Sequence, residues 1–197
     1  MRADNRRKAG HYEVLGETYA KFEFFENGWN PYSRFLDVDK VDLILRRSDS
    51  GRAVYREVQV KYGKLFECTL KWGHNLFDFS TFRFLDEDDF ARDVDRKNFF
   101  IAYVVAPEVG ASGQIHYEGD VFIFPVRAFV ESIRCAPSTR RGRRRVLISR
   151  LRNDPSRWFL RRTNKQFDAV TEKTCIEVSQ YRRNFGALAH EAGPGLV

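Results

Sequence analysis

The sequence predicts an α/β fold in which helices flank a central mixed β-sheet. Residues 99–106 (FFIAYVVA) are almost wholly apolar, which is typical of a central strand buried on both faces. Residues 41–46 and 53–62 have the composition of strands, and the turn residues at 48–51 between them predict a hairpin. A helix should precede the hairpin, because apolar residues recur there at helical spacing. The recurring residues are Leu15, Tyr19, Phe22 and Phe25.

Turn and charge signals place the ends of the next elements. The first helix should begin at about His11 and end at Asn27-Gly28, where glycine adopts the left-handed conformation at little steric cost. Residues 63–84 mix aromatic and polar side chains and indicate loop and a short strand. The acidic run 86–89 favours a helix start, since acidic groups stabilise the positive end of the helix dipole. This helix should end near Arg96.

Short strands and helices alternate after the central strand. A second buried strand is predicted at 121–124 and a short helix at 128–134. An exposed arginine-rich loop at 139–145 should lead into an edge strand at 146–149. A helix at about 165–185 would close the chain.

Charge is unevenly distributed along the chain. Residues 1–133 hold 19 Lys/Arg and 22 Asp/Glu, whereas residues 134–183 hold 15 Lys/Arg and 4 Asp/Glu. We expect a flexible basic arm at 1–10, a core at 11–135 and a basic C-terminal extension at 136–197 packed on that core. A polyanion such as DNA would be drawn to the basic third, because cations there displace its condensed counterions. A solvated basic surface is the alternative.

Composition argues against a membrane or secreted protein. No stretch approaches the roughly 18 apolar residues of a membrane helix, and the first ten residues lack the apolar region of a secretory signal. Cys68, Cys135 and Cys175 are far apart and form no CxxC pair, which predicts reduced thiols in a cytoplasmic protein and no zinc site. No glycine-rich phosphate loop or nucleophile elbow supports a small-molecule enzyme.

The second strand of the hairpin carries the candidate chemistry. Side chains alternate between the two faces of a strand, so Glu57, Gln59 and Lys61 should lie together opposite the intervening valines. Burying polar groups without partners is costly, and a functional site would explain three on one face. Asp42 begins the preceding strand, and the hairpin would bring its carboxylate near Gln59 and Lys61.

These residue types suit metal-dependent hydrolysis of a phosphodiester. The Asp42 carboxylate is a hard oxygen ligand for Mg²⁺, and the Gln59 carbonyl supplies an uncharged oxygen. Such a metal polarises the phosphate and lowers the pKa of a bound water. Lys61 would orient or activate that water and stabilise charge that develops in the transition state. Glu17, on the first helix, could complete the metal shell directly or through water.

The order of these residues resembles the PD-(D/E)XK nuclease superfamily, which includes many restriction endonucleases and Holliday-junction resolvases. The resemblance covers residues 12–64: Gly16-Glu17 on a helix, then Asp42, then Gln59-Val60-Lys61 after a turn. It implies a restriction-endonuclease-like three-layer sandwich, with a nuclease core at 11–135. It also implies that Asp42, Gln59 and Glu17 hold the metal and that Lys61 is the catalytic lysine.

Gln59 departs from the superfamily, in which Glu or Asp usually stands at this position. A glutamine resembles the QxK variant of some active branches. A neutral ligand nevertheless weakens the charge of the site. A catalytically degenerate module that binds nucleic acid or a protein partner is therefore the alternative function.

The function expected from the resemblance is a Mg²⁺-dependent DNA endonuclease, with Mn²⁺ as a substitute metal, in restriction, defence or DNA repair. Cutting both strands would favour a homodimer, since each subunit carries one site. The arginine-rich run suits phosphate contacts, which position a protein on a duplex without reading its sequence. It contains Arg140, Arg141, Arg143, Arg144 and Arg145.

Four further residues near the motif have alternative interpretations. Asp37 and Asp39 compete with Asp42 for the role of metal ligand. A glutamate such as Glu57 more often pairs with a neighbouring arginine than contacts a metal. His74 could contact DNA, although a packing or surface role is more typical of such a residue.

Overall fold

The computed structural model describes residues 2–33, 40–68, 76–107 and 119–189. The α-helices of this part are α1 (Arg2–Glu26), α2 (Asp88–Ala91) and α3 (Val126–Arg134). The strands are β1 (Asn30–Ser33), β2 (Leu43–Asp49), β3 (Arg52–Glu67), β4 (Phe77–Leu85), β5 (Phe99–Pro107), β6 (Asp120–Pro125), β7 (Arg144–Val146), β8 (Ile148–Leu151), β9 (Asp154–Arg161) and β10 (Cys175–Glu177). Two 3₁₀ turns follow at Ser179–Tyr181 and Phe185–Leu188.

The strands form one ten-stranded sheet whose main path runs β1-β2-β3-β4-β8-β9-β10. Strand β5 branches from this path, because it pairs with β3 in parallel and with β6 antiparallel. Strand β7 pairs with β4. The other ladders among the described residues are antiparallel.

The predicted three-layer α/β sandwich is therefore wrong. The sheet is mostly antiparallel rather than a mixed sheet covered by helices, and the part of the chain that the structure describes has three α-helices. The difference arises in the C-terminal third, which adds four strands to the sheet. The helix predicted at 165–185 is replaced by β10 and the two 3₁₀ turns.

The predicted hairpin and buried strands are confirmed. Strands β2 and β3 pair from Leu43 opposite Val58 to Asp49 opposite Arg52. The two turn residues, Ser50 and Gly51, both have positive φ, near 49° and 79°. A two-residue turn of this kind matches the twist of the paired strands and fixes their register.

The sheet separates two apolar clusters, and β5 contributes to both. Its odd-numbered residues from 99 to 105 belong to a cluster that includes Phe129 and Ile133 of α3. Its even-numbered residues from 100 to 104 belong to a cluster that includes Phe24 of α1. All of these residues are buried, as predicted for a central strand. We call the two sides of the sheet the α3 face and the α1 face.

Helix α1 begins at Arg2 rather than at about His11, and its buried stripe differs from the prediction. Tyr19, Ala20 and Phe24 pack on the sheet. Phe22 and Phe25 are exposed, at 66% and 63%. Ala20 occupies the packed stripe because a small residue allows the helix to approach the strands closely, and a search for large apolar residues overlooks it.

Two further local predictions need correction. Helix α2 ends at Ala91, well before the predicted end near Arg96. Strand β8 is not an edge strand, because it lies between β4 and β9.

Cys68, Cys135 and Cys175 are free thiols, and burial raises the pKa of Cys68 and Cys175. None of the described helices is long and apolar enough to cross a membrane.

Candidate active site at the open edge of strand β3

The candidate site lies where β3 changes neighbours along one edge. Strand β2 pairs with β3 as far as Val58, and β4 pairs with it from Lys64 onward. Between these points, residues 59–63 have no strand on that edge in the part of the chain that the structure describes, while β5 covers the other edge. Backbone groups of the open edge therefore need other partners.

Asp42 supplies one of those partners. Its backbone N–H donates to the carbonyl of Val58 at 3.0 Å, which continues the β2–β3 ladder by one bond. Its side-chain Oδ2 accepts from the backbone N–H of Val60 at 2.6 Å. The carboxylate is thus anchored by the strand that carries Gln59 and Lys61, as the hairpin prediction expected.

Gln59 lies across from Asp42, because Leu43 and Val58 are the register pair that precedes them. The side chain is 4% exposed, and its amide oxygen Oε1 is buried without a hydrogen-bond partner in the described structure. An unsatisfied buried acceptor costs about 1–3 kcal/mol. Such an oxygen calls for an explanation, and a ligand that is bound during function is one.

Lys61 shares the α3 face with Gln59. Val58, Val60 and Tyr62 belong to the cluster on the α1 face, so the alternate residues of β3 point the other way. The Lys61 ammonium lies 5.6 Å from the ring centroid of Phe90. Burial lowers the pKa of Lys61 below its ordinary value of 10.5. A lysine in such a place gives up its proton more readily than one in water.

Charged residues from three other elements act on Lys61. The positive charge of Arg83 lowers its pKa further, whereas the negative charges of Asp42, Asp89 and Glu13 raise it. Arg83, on β4, donates to the carbonyl of Tyr62 at 2.5 Å and so contacts the open edge directly. The site is therefore built from Asp42, which directly precedes β2, and from β3, β4, α1 and α2.

Three charged residues around Lys61 were not predicted from the sequence: Arg83, Asp89 and Glu13. Glu13 lies on α1, 4.0 Å from the guanidinium of Arg83. Asp89 lies in the first turn of α2 and forms an ion pair with Lys40. None of the three has a local pattern that marks it, because each reaches the site through pairing of distant segments. Their approach follows from topology rather than from spacing.

Glu17 is half-buried on α1, next to Gly16. Gly16 packs closely on Tyr62, since a Cβ at Gly16 would lie 3.1 Å from the Tyr62 Cβ. Tyr62 belongs to the α1 face, whereas Gln59 and Lys61 lie on the α3 face. The assignment of Glu17 as a metal ligand stays a prediction.

Glu57 pairs with Arg96, in agreement with the expectation of an arginine partner. Arg96 also binds Asp93 at 2.9 Å. Asp37, Asp39 and His74 lie outside the described residues.

The arginine-rich run serves several roles. Arg144 donates to Glu87 at 2.8 Å, and Arg134 donates to the same carboxylate at 2.6 Å. Arg143 donates to the carbonyl of Phe84 at 3.0 Å. Arg140 and Arg141 are exposed and have no ion-pair partner among the described residues. The assignment of the run to nucleic-acid binding stays a prediction, and the pairing of Arg144 with Glu87 favours a structural role for that residue.

Much of the positive charge of the C-terminal third is compensated inside the molecule. Several of its arginines form ion pairs with acids that occur earlier in the chain. These pairs are Arg134–Glu87, Arg144–Glu87, Arg150–Asp78, Arg182–Asp120 and Arg183–Glu23. The surface available to a polyanion is consequently smaller than the sequence count suggests.

Asp42 and Gln59 are the residues near Lys61 that could contribute oxygen ligands to a metal ion, and metal binding there stays a prediction. Within the described ranges, no group of three or more His, Cys, Asp or Glu residues could hold a metal by itself. The oxygens at hand are those of Asp42 and Gln59. Mg²⁺ is commonly bound by one or two protein carboxylates, waters and substrate phosphates, so two protein oxygens are compatible with it. The unpartnered Oε1 of Gln59 supports this fit.

No protein-family model, no curated protein and no solved structure matches this chain. The resemblance to the PD-(D/E)XK superfamily therefore rests on the residues themselves.

Proposed function

We propose that this protein is a metal-dependent nuclease that hydrolyses DNA phosphodiester bonds at the open edge of β3. The observation that carries the proposal is the meeting of three groups at that edge. They are the anchored Asp42 carboxylate, the buried unpartnered oxygen of Gln59 and the half-buried side chain of Lys61.

Each group has a role that its surroundings support. Asp42 and Gln59 would hold Mg²⁺, which supplies charge neutralisation of the phosphate and acidification of a water. The backbone N–H of Val60 holds the Asp42 carboxylate in a fixed orientation. Such anchoring reduces the reorganisation needed when the phosphate binds.

Lys61 would act on the proton of the attacking water or on the charge of the phosphate. A lowered pKa makes both protonation states of Lys61 accessible nearer to neutral pH. Arg83 contributes to this lowering, and it is fixed on the backbone of Tyr62. We therefore assign Arg83 as a positioning residue that tunes Lys61.

Incubation of supercoiled plasmid with the protein and Mg²⁺, Mn²⁺ or EDTA tests the proposal. Metal-dependent nicking or cutting should disappear in Lys61→Met, which keeps the apolar stem of the side chain. Lys97→Met is the matched control, because Lys97 is exposed and comes just before β5, which covers the other edge of β3. Cutting that survives Lys61→Met, or that proceeds equally in EDTA, would overturn the assignment of this site.

A degenerate binding module is the second candidate, and the neutral side chain of Gln59 favours it. Gln59→Glu distinguishes the two. In an active nuclease this change restores the charge of the usual ligand and should lower the Mg²⁺ concentration needed for cutting. In a degenerate module the wild type should bind DNA without cutting it under any of the metal conditions.

A further inference from the structure

Two exposed phenylalanines form a patch with two arginines on the β4–β7 ladder. Phe82 and Phe84 are each 37% exposed, although they are large apolar residues on strands of the sheet. Their rings contact each other edge to face, with centroids 4.8 Å apart. Arg145 lies 5.1 Å from the centroid of the Phe82 ring, and Arg143 lies 5.5 Å from that of Phe84. We call these four residues the Phe–Arg patch.

Strand alternation places the patch on one face. Phe84 and Arg145 are register partners on β4 and β7, so their side chains share a side of the ladder. Val146, next to Arg145, belongs to the apolar cluster on the α3 face, so Arg145 points to the opposite side. Arg144 also turns away from the patch, because it is bound to Glu87.

In the part of the chain that the structure describes, Arg143 and Arg145 lack the acidic partners that several other arginines of the C-terminal third have. Neither Arg143 nor Arg145 forms an ion pair within the described segments. Arg140 and Arg141 lie just before them in the chain, and these two also lack an acidic partner in that part of the structure. Arg134, Arg150, Arg182 and Arg183, by comparison, are each paired with a carboxylate.

Exposed rings beside unpaired guanidinium groups match the chemistry of single-stranded nucleic acid. The flat rings offer stacking surfaces for unpaired bases, and arginines attract the phosphates that connect those bases. A duplex hides its bases within the stack, so the rings of the patch would gain little from it. An apolar protein partner would not account for the excess of positive charge.

We infer that the Phe–Arg patch binds unpaired nucleobases of a nucleic-acid single strand. This inference rests on the proposed nuclease function and extends it, because it names single-stranded regions of DNA as part of the substrate. Phe82 and Phe84 flank Arg83 in the sequence, and Arg83 contacts the open edge of β3. Because side chains alternate along β4, the patch lies on the face of the sheet opposite Gln59 and Lys61, and a single strand held there would reach the candidate active site only by passing this open edge.

Fluorescence anisotropy of a short labelled oligothymidine, measured in EDTA, tests the inference without cleavage. Phe82→Ala and Phe84→Ala should each weaken binding about tenfold, since stacking contributes roughly 1–3 kcal/mol per base. Phe82→Tyr should retain most of the binding, because it keeps the aromatic face. Phe22→Ala is the matched control, since Phe22 is an exposed phenylalanine on α1 outside the patch.

Salt dependence separates the two components of the patch. Phe82→Ala should leave the slope of log affinity against log salt unchanged, because it removes no charge. Arg143→Gln should reduce that slope by about 0.7, the value for one phosphate contact on a single strand. The matching duplex should bind more weakly than the single strand, and its affinity should be insensitive to Phe84→Ala. An oligouridine of equal length distinguishes RNA from DNA.

The outcomes distinguish this inference from the proposed nuclease. Loss of binding in the phenylalanine variants supports the patch even if no metal promotes cleavage. Equal loss in Phe22→Ala, or no loss in Phe82→Ala and Phe84→Ala, would overturn the patch and leave the nuclease proposal intact. A preference for the duplex would also overturn it. Thermal unfolding of each variant shows whether a loss of binding reflects a loss of folding.

Discussion

Replacing Gln59 with methionine should stabilise the protein and abolish the proposed metal-dependent cleavage. Gln59 is 4% exposed, and its Oε1 has no partner in the described structure. Methionine has a similar length and volume but carries no acceptor that needs a hydrogen bond. The substitution therefore separates the contribution of Gln59 to folding from its proposed contribution to function.

The magnitude follows from two opposing effects. Removing an unsatisfied buried acceptor should stabilise the fold by about 1–3 kcal/mol. The change of shape in a packed environment should cost up to about 1.5 kcal/mol. The expected net gain is about 1 kcal/mol, which raises the Tm by roughly 2–4 °C for a domain of this size.

Differential scanning calorimetry without metal measures this gain, and the plasmid assay measures cleavage. Gln166→Met is the control, because Gln166 is exposed and its replacement should change stability by less than about 0.5 kcal/mol. A Gln59→Met variant that is less stable than wild type would show that Oε1 is satisfied in solution. Retained cleavage would refute its role as a ligand.

Three further predictions concern the surroundings of the site. Burial lowers the pKa of Lys61, so the charged form of the lysine opposes folding at neutral pH. Lys61→Met should therefore raise the Tm at pH 7, and the gain should shrink as the pH approaches 10.5. A gain in Tm that stays the same over this pH range would contradict the prediction. Gly63→Ala should destabilise the protein by about 2 kcal/mol or more in chemical denaturation, because the new Cβ would lie 2.5 Å from the Tyr103 hydroxyl. An unchanged free energy of unfolding would show that the tyrosine side chain can move aside. Hydrogen bonds from Arg134 lower the pKa of Glu87, so the charged Glu87 stabilises the fold above its ordinary pKa of 4.5 and this stabilisation is lost as the pH falls below that value. Glu87→Gln should therefore lower the Tm at pH 7 but not in acid. An equal loss of Tm at both pH values would refute an ionic origin.

Local patterns in the sequence predicted the centre of the fold correctly. The hairpin depends on a two-residue turn, and the β5 strand depends on a continuous apolar run, so both are encoded by adjacent residues. Asp42, Gln59 and Lys61 lie on this same hairpin, and their approach follows from its register. That part of the site could therefore be predicted without a structure.

The remaining elements depend on contacts that are distant in the sequence. Residues 165–185 were expected to be helical, but β10 forms because Cys175–Glu177 finds a partner in β9. Arg83 and Asp89 reach Lys61 through the pairing of β4 and the position of α2, which no local period reveals. No sequence pattern distinguishes these two residues from other charged residues, and the strand and helix arrangement alone brings them near Lys61.

The charge of the C-terminal third illustrates the same limit. A count of residues predicts a strongly basic surface, because sequence does not say which acids lie beside which arginines. Arg182 and Arg183 pair with Asp120 and Glu23, acids that are distant in the chain. The patch formed by Phe82 and Phe84 with two arginines likewise could not be predicted from composition.

The length of the turn at Ser50–Gly51 has a consequence for the evolution of this chain. Strand β3 is locked in place by β5 and β4, independently of the hairpin. If an insertion in the turn shifted the register, β2 would slide past a stationary β3, and Leu43 and Leu45 would leave the core. Asp42 would then move one step away from Val60, while Gln59 and Lys61 kept their places. A change in the length of this turn that altered the register would therefore cost stability and would also disturb the distant candidate active site.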